Sequence, residues 1–131
     1  MPQQDIFERL KQDHERHRAL LAQLFASEGH DGERERLFER FKIEVTAHAA
    51  AEEETLYATM LARENLRHDA VHSVAEHKEI SDLLQAIAEA DVRSPEWRAE
   101  FQKLADRYTH HIDEEEEEMF PAAADGLSDE K

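Results

Sequence analysis

Four histidines and two glutamates carry most of the chemical information in this chain. His48 and Glu52 stand four residues apart, as do His111 and Glu115, and His14 and His77 complete the set. On a helix, residues at i and i+4 project from one face a turn apart, so each H-x-x-x-E pair would aim an imidazole and a carboxylate in the same direction. Imidazole and carboxylate without thiolate suit iron or manganese, with zinc also compatible. All six fall where the surrounding apolar periodicity demands core residues. Burying an unpaired carboxylate costs on the order of several kcal/mol even after relaxation. A metal cation removes that cost directly. The competing reading, a hydrogen-bonded polar core without metal, must satisfy both acids with side chains alone.

The elements that would position these groups follow from apolar spacing. Ile6, Leu10, His14, His17, Leu21 and Leu24 recur at intervals of three and four, as do Leu37, Phe41, Val45, His48, Glu52 and Leu56. So do Val74, His77, Ile80, Leu84 and Ile87, and then Phe101, Leu104, Tyr108, His111, Glu115 and Met119. Each stripe marks the buried face of one helix. Breaks are expected at "SEGHDG" (27–32), "REN" (63–65) and "ADVRSPEW" (90–97), where Ser94 is a good N-cap and Pro95 suits the first helical position. With only three Gly and three Pro, the composition favours helix nearly everywhere. Long helices joined by short loops predict an all-α, up-down-up-down antiparallel four-helix bundle.

The two halves resemble each other. A shift of 63 residues lays His14 on His77, His48 on His111 and Glu52 on Glu115, with Leu20/Leu83, Leu21/Leu84, Phe38/Phe101 and Thr46/Thr109 also identical. Asp13 then falls on Glu76, and Tyr57 on Phe120. Two helical hairpins related by a pseudo-two-fold axis would bring equivalent residues together at the bundle centre, where such folds build dinuclear metal sites.

Ferritin-like di-iron bundles use Glu-x-x-His, and no glutamate here has a histidine three residues after it. What remains, His…His-x-x-x-Glu…His…His-x-x-x-Glu, resembles the hemerythrin-like, or HHE cation-binding, domains. The residues that carry the likeness are "QDHERHRALL", "HAAAEEETLY", "AEHKEISDLL" and "HIDEEEEEMFP", covering essentially residues 5 to 124. The resemblance implies an oxo- or hydroxo-bridged di-iron centre (Fe–O–Fe) with Glu52 and Glu115 bridging, His14 and His48 on one iron, and His77 and His111 on the other. It also implies binding or sensing of dioxygen, nitric oxide, peroxide or iron. The oxygen carriers have a fifth histidine four residues before the one matching His77, and this chain has Ser73 there. The resemblance then leaves one position open on each metal, which sets a di-iron peroxidase, catalase-like or nitric-oxide-processing enzyme beside oxygen binding, and iron or zinc homeostasis beside both. Enzyme or binding protein is left undecided.

The other polar residues have plainer expectations. His17, three after His14 where the repeat has Ile80, is expected to be hydrogen-bonded near the site, a replacement fifth ligand being the alternative. Tyr108 is expected to pack and bond to a buried acid, the alternative being reach to the metals. Asp13 and Glu76 could accept from an imidazole N–H or lie on the surface; His30, His68 and His72 should be exposed. Of the histidines and acids in "HHIDEEEEEMFP" only His111 and Glu115 lie in the buried stripe; Glu116, Glu117 and Glu118 are expected as surface charge, and Met119 and Phe120 return the helix to the core.

At 131 residues the chain is expected to form one domain, with 125–131 a flexible tail. Thirty-two acids against 16 Lys and Arg give a formal charge of −16, which disfavours nucleic acid and anionic membranes as partners. Cysteine is absent, no apolar run approaches a membrane span, and "MPQQDIFERLKQDH" has no signal-like apolar core. These point to a cytoplasmic protein, and the resemblance implies a small ligand such as dioxygen, nitric oxide or peroxide as its partner. Its oligomeric state is left open.

Overall fold

The computed structural model describes residues 6–128, and among these every regular element is helical. The elements are α1 (Ile6–Ala26), α2 (Asp31–Glu52), a π-helical turn π1 (Glu53–Tyr57), α3 (Ala58–Leu61), α4 (Glu64–Glu89), α5 (Pro95–Glu114), a second π-helical turn π2 (Glu115–Met119) and α6 (Phe120–Ser128). Because the π turns run without a break into their neighbours, the chain makes four helical rods: α1, α2–π1–α3, α4 and α5–π2–α6.

The loops fall where turn chemistry places them. Gly29 adopts φ 88° between α1 and α2, a conformation that side chains resist. At the start of α5 the Ser94 hydroxyl accepts from the Trp97 backbone N–H at 3.1 Å, with Pro95 at the first helical position. Buried Arg34 closes the end of α1, donating to the Leu24 carbonyl at 3.3 Å and stacking over Trp97 at 4.6 Å. Helix α6 continues to Ser128, beyond the expected core limit at 124; the end of the expected tail, 129–131, lies outside the described residues.

The apolar core is in two pieces. The larger contains Leu20, Leu24, Phe41, Ile87, Trp97 and Leu104 among others, and the smaller contains Leu10, Leu56, Met60, Leu66, Met119 and Phe120. Every rod contributes to both, and between them every rod carries polar residues: His14 and His17, His48 and Glu52, Ser73, Glu76 and His77, then His111 and Glu115, all buried. The bundle has a polar waist. Two stripe residues depart from their expected burial: Ile6 is 39% exposed at the bundle's end, and Val74 is 38% exposed at the mouth of a pocket. Leu37 is half-buried against the larger cluster.

Candidate metal centre

All six expected donors meet in this waist. Their donor atoms form two groups, His14/His48/Glu52/Glu115 and Glu52/His77/His111/Glu115, each lying within 4.8 Å of one another. Both glutamates belong to both groups. Glu52 Oε2 is 3.2 Å from His48 Nε2 and Glu52 Oε1 is 3.0 Å from His77 Nε2. Glu115 Oε1 is 3.2 Å from His14 Nε2, and Glu115 Oε2 is 3.4 Å from His111 Nε2. The π turns begin directly after Glu52 and at Glu115, so the wider turn falls where each carboxylate leaves its helix.

The buried atoms left without hydrogen bonds test whether a cation fits. Among the described residues these are Nε2 of His14, His48 and His111, Glu52 Oε2, Glu115 Oε1, and His17 Nε2. Such orphans are rare in folded proteins because each costs about 1–3 kcal/mol. All but one belong to the expected donor set and face its centre. The residues fit a bound cation.

Electrostatics agree with this. Burial pushes the Glu52 carboxyl up, but the His48 and His77 imidazoles outweigh it and hold the group well below the usual carboxylate range. Glu115 is raised, by burial and then by the charge of Glu52. Of the two acids, Glu115 is therefore the one more readily protonated when no cation is present. Tyr57 donates to Glu115 Oε2 or to Glu52 Oε1, the latter at 3.1 Å. Burial and both glutamate charges keep its phenol protonated.

Histidine protonation gives a signed expectation. Burial pulls His48 down, yet the Glu52 carboxylate outweighs it and raises the imidazole from 6.5 to about 9. The stability this contributes is full below pH 6.5 and is lost as pH rises through about 9. A metal taking His48 Nε2 must displace that proton. Metal binding at pH 7.5 should therefore release protons, seen as a calorimetric heat that changes with the buffer's ionisation enthalpy. A buffer-independent heat would refute this. His17 behaves oppositely: burial, then the His48 and His14 charges, lower it to about 4. Its contribution is full above pH 6.5 and lost as pH falls toward 4.

Comparison with known proteins decides the family. The profile of the Hemerythrin HHE cation binding domain matches residues 5–123, nearly the whole chain. The chain belongs to the hemerythrin HHE cation-binding family. A protein of Nostoc sp. (strain PCC 7120 / SAG 25.82 / UTEX 2576) named DNA nickase is 30% identical over 122 residues, 93% of this chain but 34% of that protein. The chain thus spans about a third of that relative's length. No solved structure matches.

In this hemerythrin-family chain each imidazole of the two donor groups also has an outward carboxylate partner. His14 Nδ1 donates to Glu116 at 2.7 Å, His48 Nδ1 to Asp13 at 2.8 Å, His77 Nδ1 to Glu53 at 2.9 Å and His111 Nδ1 to Glu76 at 2.7 Å. Ionised carboxylates only accept, so each Nδ1 carries a proton and each ring is fixed with Nε2 inward. Asp13 and Glu76 are thus imidazole partners, though each serves a histidine on another helix and not its own neighbour. Arg18 braces Glu116 and Asp113, and Arg16 braces Asp13.

Glu116 corrects the expectation of surface charge. It is half-buried because it turns inward to His14, while Glu117 and Glu118 are exposed as expected. Sequence reasoning missed Glu53 as a partner, yet the 63-residue shift that aligns the histidines also lays Glu53 on Glu116. Glu53→Gln or Glu116→Gln should keep the fold and weaken metal binding by about 10–100-fold in competition titrations. Unchanged affinity in both would show that these carboxylates do not orient the rings.

His17 lies outside both donor groups. Its Nδ1 bonds the Tyr108 hydroxyl at 2.6 Å, so Tyr108 has a buried imidazole as its partner and not the expected buried acid. Ser73, at the position where oxygen carriers have histidine, bonds Met119 Sδ at 3.1 Å. His30, His68 and His72 are exposed as expected. Tyr57, which sequence reasoning treated only as a core match to Phe120, touches both shared glutamates. No periodicity signal separates such a tyrosine from a packing residue.

Two pockets adjoin the waist. One, of about 340 Å³, is walled by Val45, Val74, Ile80 and Leu84 and reaches His48, His77 and His111. The other, of about 400 Å³, is walled by His68, Asp69, His72, Glu114 and Glu118 and reaches Glu115. No helix among the described residues is long and apolar enough to cross a membrane.

Proposed function

We propose that this chain holds a dinuclear non-haem iron centre that binds or senses dioxygen or a related small ligand. Glu52 and Glu115 would bridge, with His14 and His48 serving one metal and His77 and His111 the other. The observation that carries the reading is the pair of donor groups sharing both glutamates. The thiolate-free donor set suits iron, and manganese or zinc next. When bound, the oxo- or hydroxo-bridged metal pair supplies the redox and ligand-binding chemistry. The chain's own residues do the rest: outward carboxylates orient the rings, Tyr57 offers a proton to the bridging acids, and flanking apolar clusters limit water. The aliphatic pocket beside His77 and His111 suits admission of a neutral diatomic or peroxide.

The same proposal takes the chain as one cytoplasmic domain, an up-down-up-down bundle of two repeated hairpins. Supporting it, α1 and α4 run from the smaller apolar cluster to the larger, and the other two rods run from the larger to the smaller. The nickase name of the longer relative is not extended to this chain, since a charge of −16 opposes contact with a phosphate backbone.

Metal content and the visible spectrum of aerobically purified protein test the reading. Two irons per chain with oxo-to-iron charge-transfer bands are expected; a metal-free protein that refuses ferrous iron would overturn it. Ser73 in place of a fifth histidine favours a second reading, peroxide turnover or nitric oxide processing at the same centre. Hydrogen peroxide consumption lost in His77→Ala would support that reading. Reversible oxygen spectra without turnover would exclude it. Large metal-dependent melting shifts with no ligand reactivity would instead indicate metal homeostasis.

A further inference from the structure

The six central donors are at most 9% exposed, so a hydrated cation must cross the bundle wall to reach them. The two pockets offer it very different walls. In the aliphatic pocket an ion would shed most of its water against Val45, Val74, Ile80 and Leu84, which return nothing for the lost hydration, and would meet the Lys78 cation beside the single carboxylate of Glu53. The other pocket presents carboxylates and imidazoles along its length, with Glu115 at its floor. Glu115 is 1% exposed and its Oε1 accepts no hydrogen bond. Glu115 thus lines the acidic pocket and, through Oε1 at 3.2 Å from His14 Nε2, belongs to the centre as well.

Two residues lining that pocket, His72 and Glu114, converge with Glu76 beside it into a third group of donors. His72 Nε2 is 3.3 Å from Glu76 Oε2 and 3.3 Å from Glu114 Oε1, and donor atoms of the three residues lie within 4.8 Å of one another. Glu76 is 5% exposed and its other oxygen receives His111 Nδ1 at 2.7 Å. One carboxylate thus touches both this outer group and an imidazole of the centre. The His72 side chain is 52% exposed and that of Glu114 is 32% exposed, so an ion held here would keep part of its water shell.

We propose that His72, Glu76 and Glu114 form a transit site for a divalent cation, the outer step of a loading route along the acidic pocket to Glu115. This rests on the metal reading of the central cluster. The outer group exchanges some waters for two carboxylates and an imidazole, and the pocket exchanges more, so desolvation is spread over several steps. Asp69, Glu114 and Glu118 add a local negative field that draws cations to this opening. Metal and neutral ligand then use separate openings to one centre.

The test is the rate at which metal-free protein takes up ferrous ion, measured anaerobically at low ionic strength by quenching aliquots into a ferrous chelator. His72→Ala/Glu114→Gln should load about tenfold more slowly and reach the wild-type metal content, because neither residue faces the centre. Asp82→Asn, which removes an exposed carboxylate elsewhere, should load at the wild-type rate. Wild-type loading should also slow as salt is added, an arm that needs no variant. Equal rates for the double variant and wild type, slowing by Asp82→Asn as large as that of the double variant, or salt-independent wild-type loading would each overturn the route while leaving the central reading intact. A reduced final metal content would place His72 and Glu114 in the permanent donor set and overturn the transit role. Failure of the wild type to take up ferrous, cobalt or zinc ion would overturn the central reading and the route together.

Discussion

Removing metal from the purified protein is expected to lower its melting temperature by about 10 °C or more. A ligand held at about a thousand times its dissociation constant stabilises the folded state by about 4 kcal/mol, and in a domain of this size each kcal/mol moves the midpoint by about 3 °C. The waist explains why the metal-free chain gives up so much. Glu52 and Glu115 are 0% and 1% exposed, and five donor atoms facing the centre lack hydrogen bonds. A chelated sample compared with the same sample reloaded, by calorimetry or far-ultraviolet circular dichroism, gives the answer. Coincident transitions despite different metal content would mean that the polar layer is satisfied without a cation.

Glu52→Gln should lower metal content more than substitution of any one of the four histidines. Glu52 belongs to both donor groups, so neutralising it weakens both positions at once. The loss of affinity should exceed the ~100-fold that an outward carboxylate is worth. By contrast, His14→Ala removes a donor from one group only, and that protein should retain a metal at the His77/His111 position. Elemental analysis after desalting separates the cases: near zero metal per chain for Glu52→Gln, about one for His14→Ala. Two metals per chain in Glu52→Gln would eliminate the shared role of this glutamate. Stability of the metal-free variant is a poorer readout, because losing the Glu52 charge strands His48 and His77 while relieving repulsion on Glu115.

The convergence of these six side chains was legible in the sequence because burial and chemistry conflict there. A stripe that reads Phe41, Val45, His48, Glu52, Leu56 has no apolar explanation for its middle, and the second hairpin repeats the conflict. Helix limits were legible through Ser94, Pro95 and the Gly29 turn. The π turns were not, since residues on either side of a widened turn still satisfy spacings of three and four. Outer partners were only half legible: Asp13 and Glu76 precede His14 and His77, but each bonds across to another helix, which spacing along one helix does not encode. The Glu53/Glu116 pair was hidden in runs of acid where composition alone predicts solvated charge. Val74 shows the reverse failure, an apolar residue in register whose neighbours leave an opening above it.

The divided core has a consequence for how the protein comes apart. Two apolar plugs separated by charge share little direct contact, so each can loosen without first dragging the other open. On the metal reading, the cation clasps all four rods at the division and makes one cooperative unit out of two short ones. A chain without its cation would then fray first from the smaller plug, around Leu10, Leu56, Met60 and Phe120, exposing helix ends to proteases while the larger plug stays closed. Supply of the metal would in this way set how long the chain survives, whatever small ligand the centre binds.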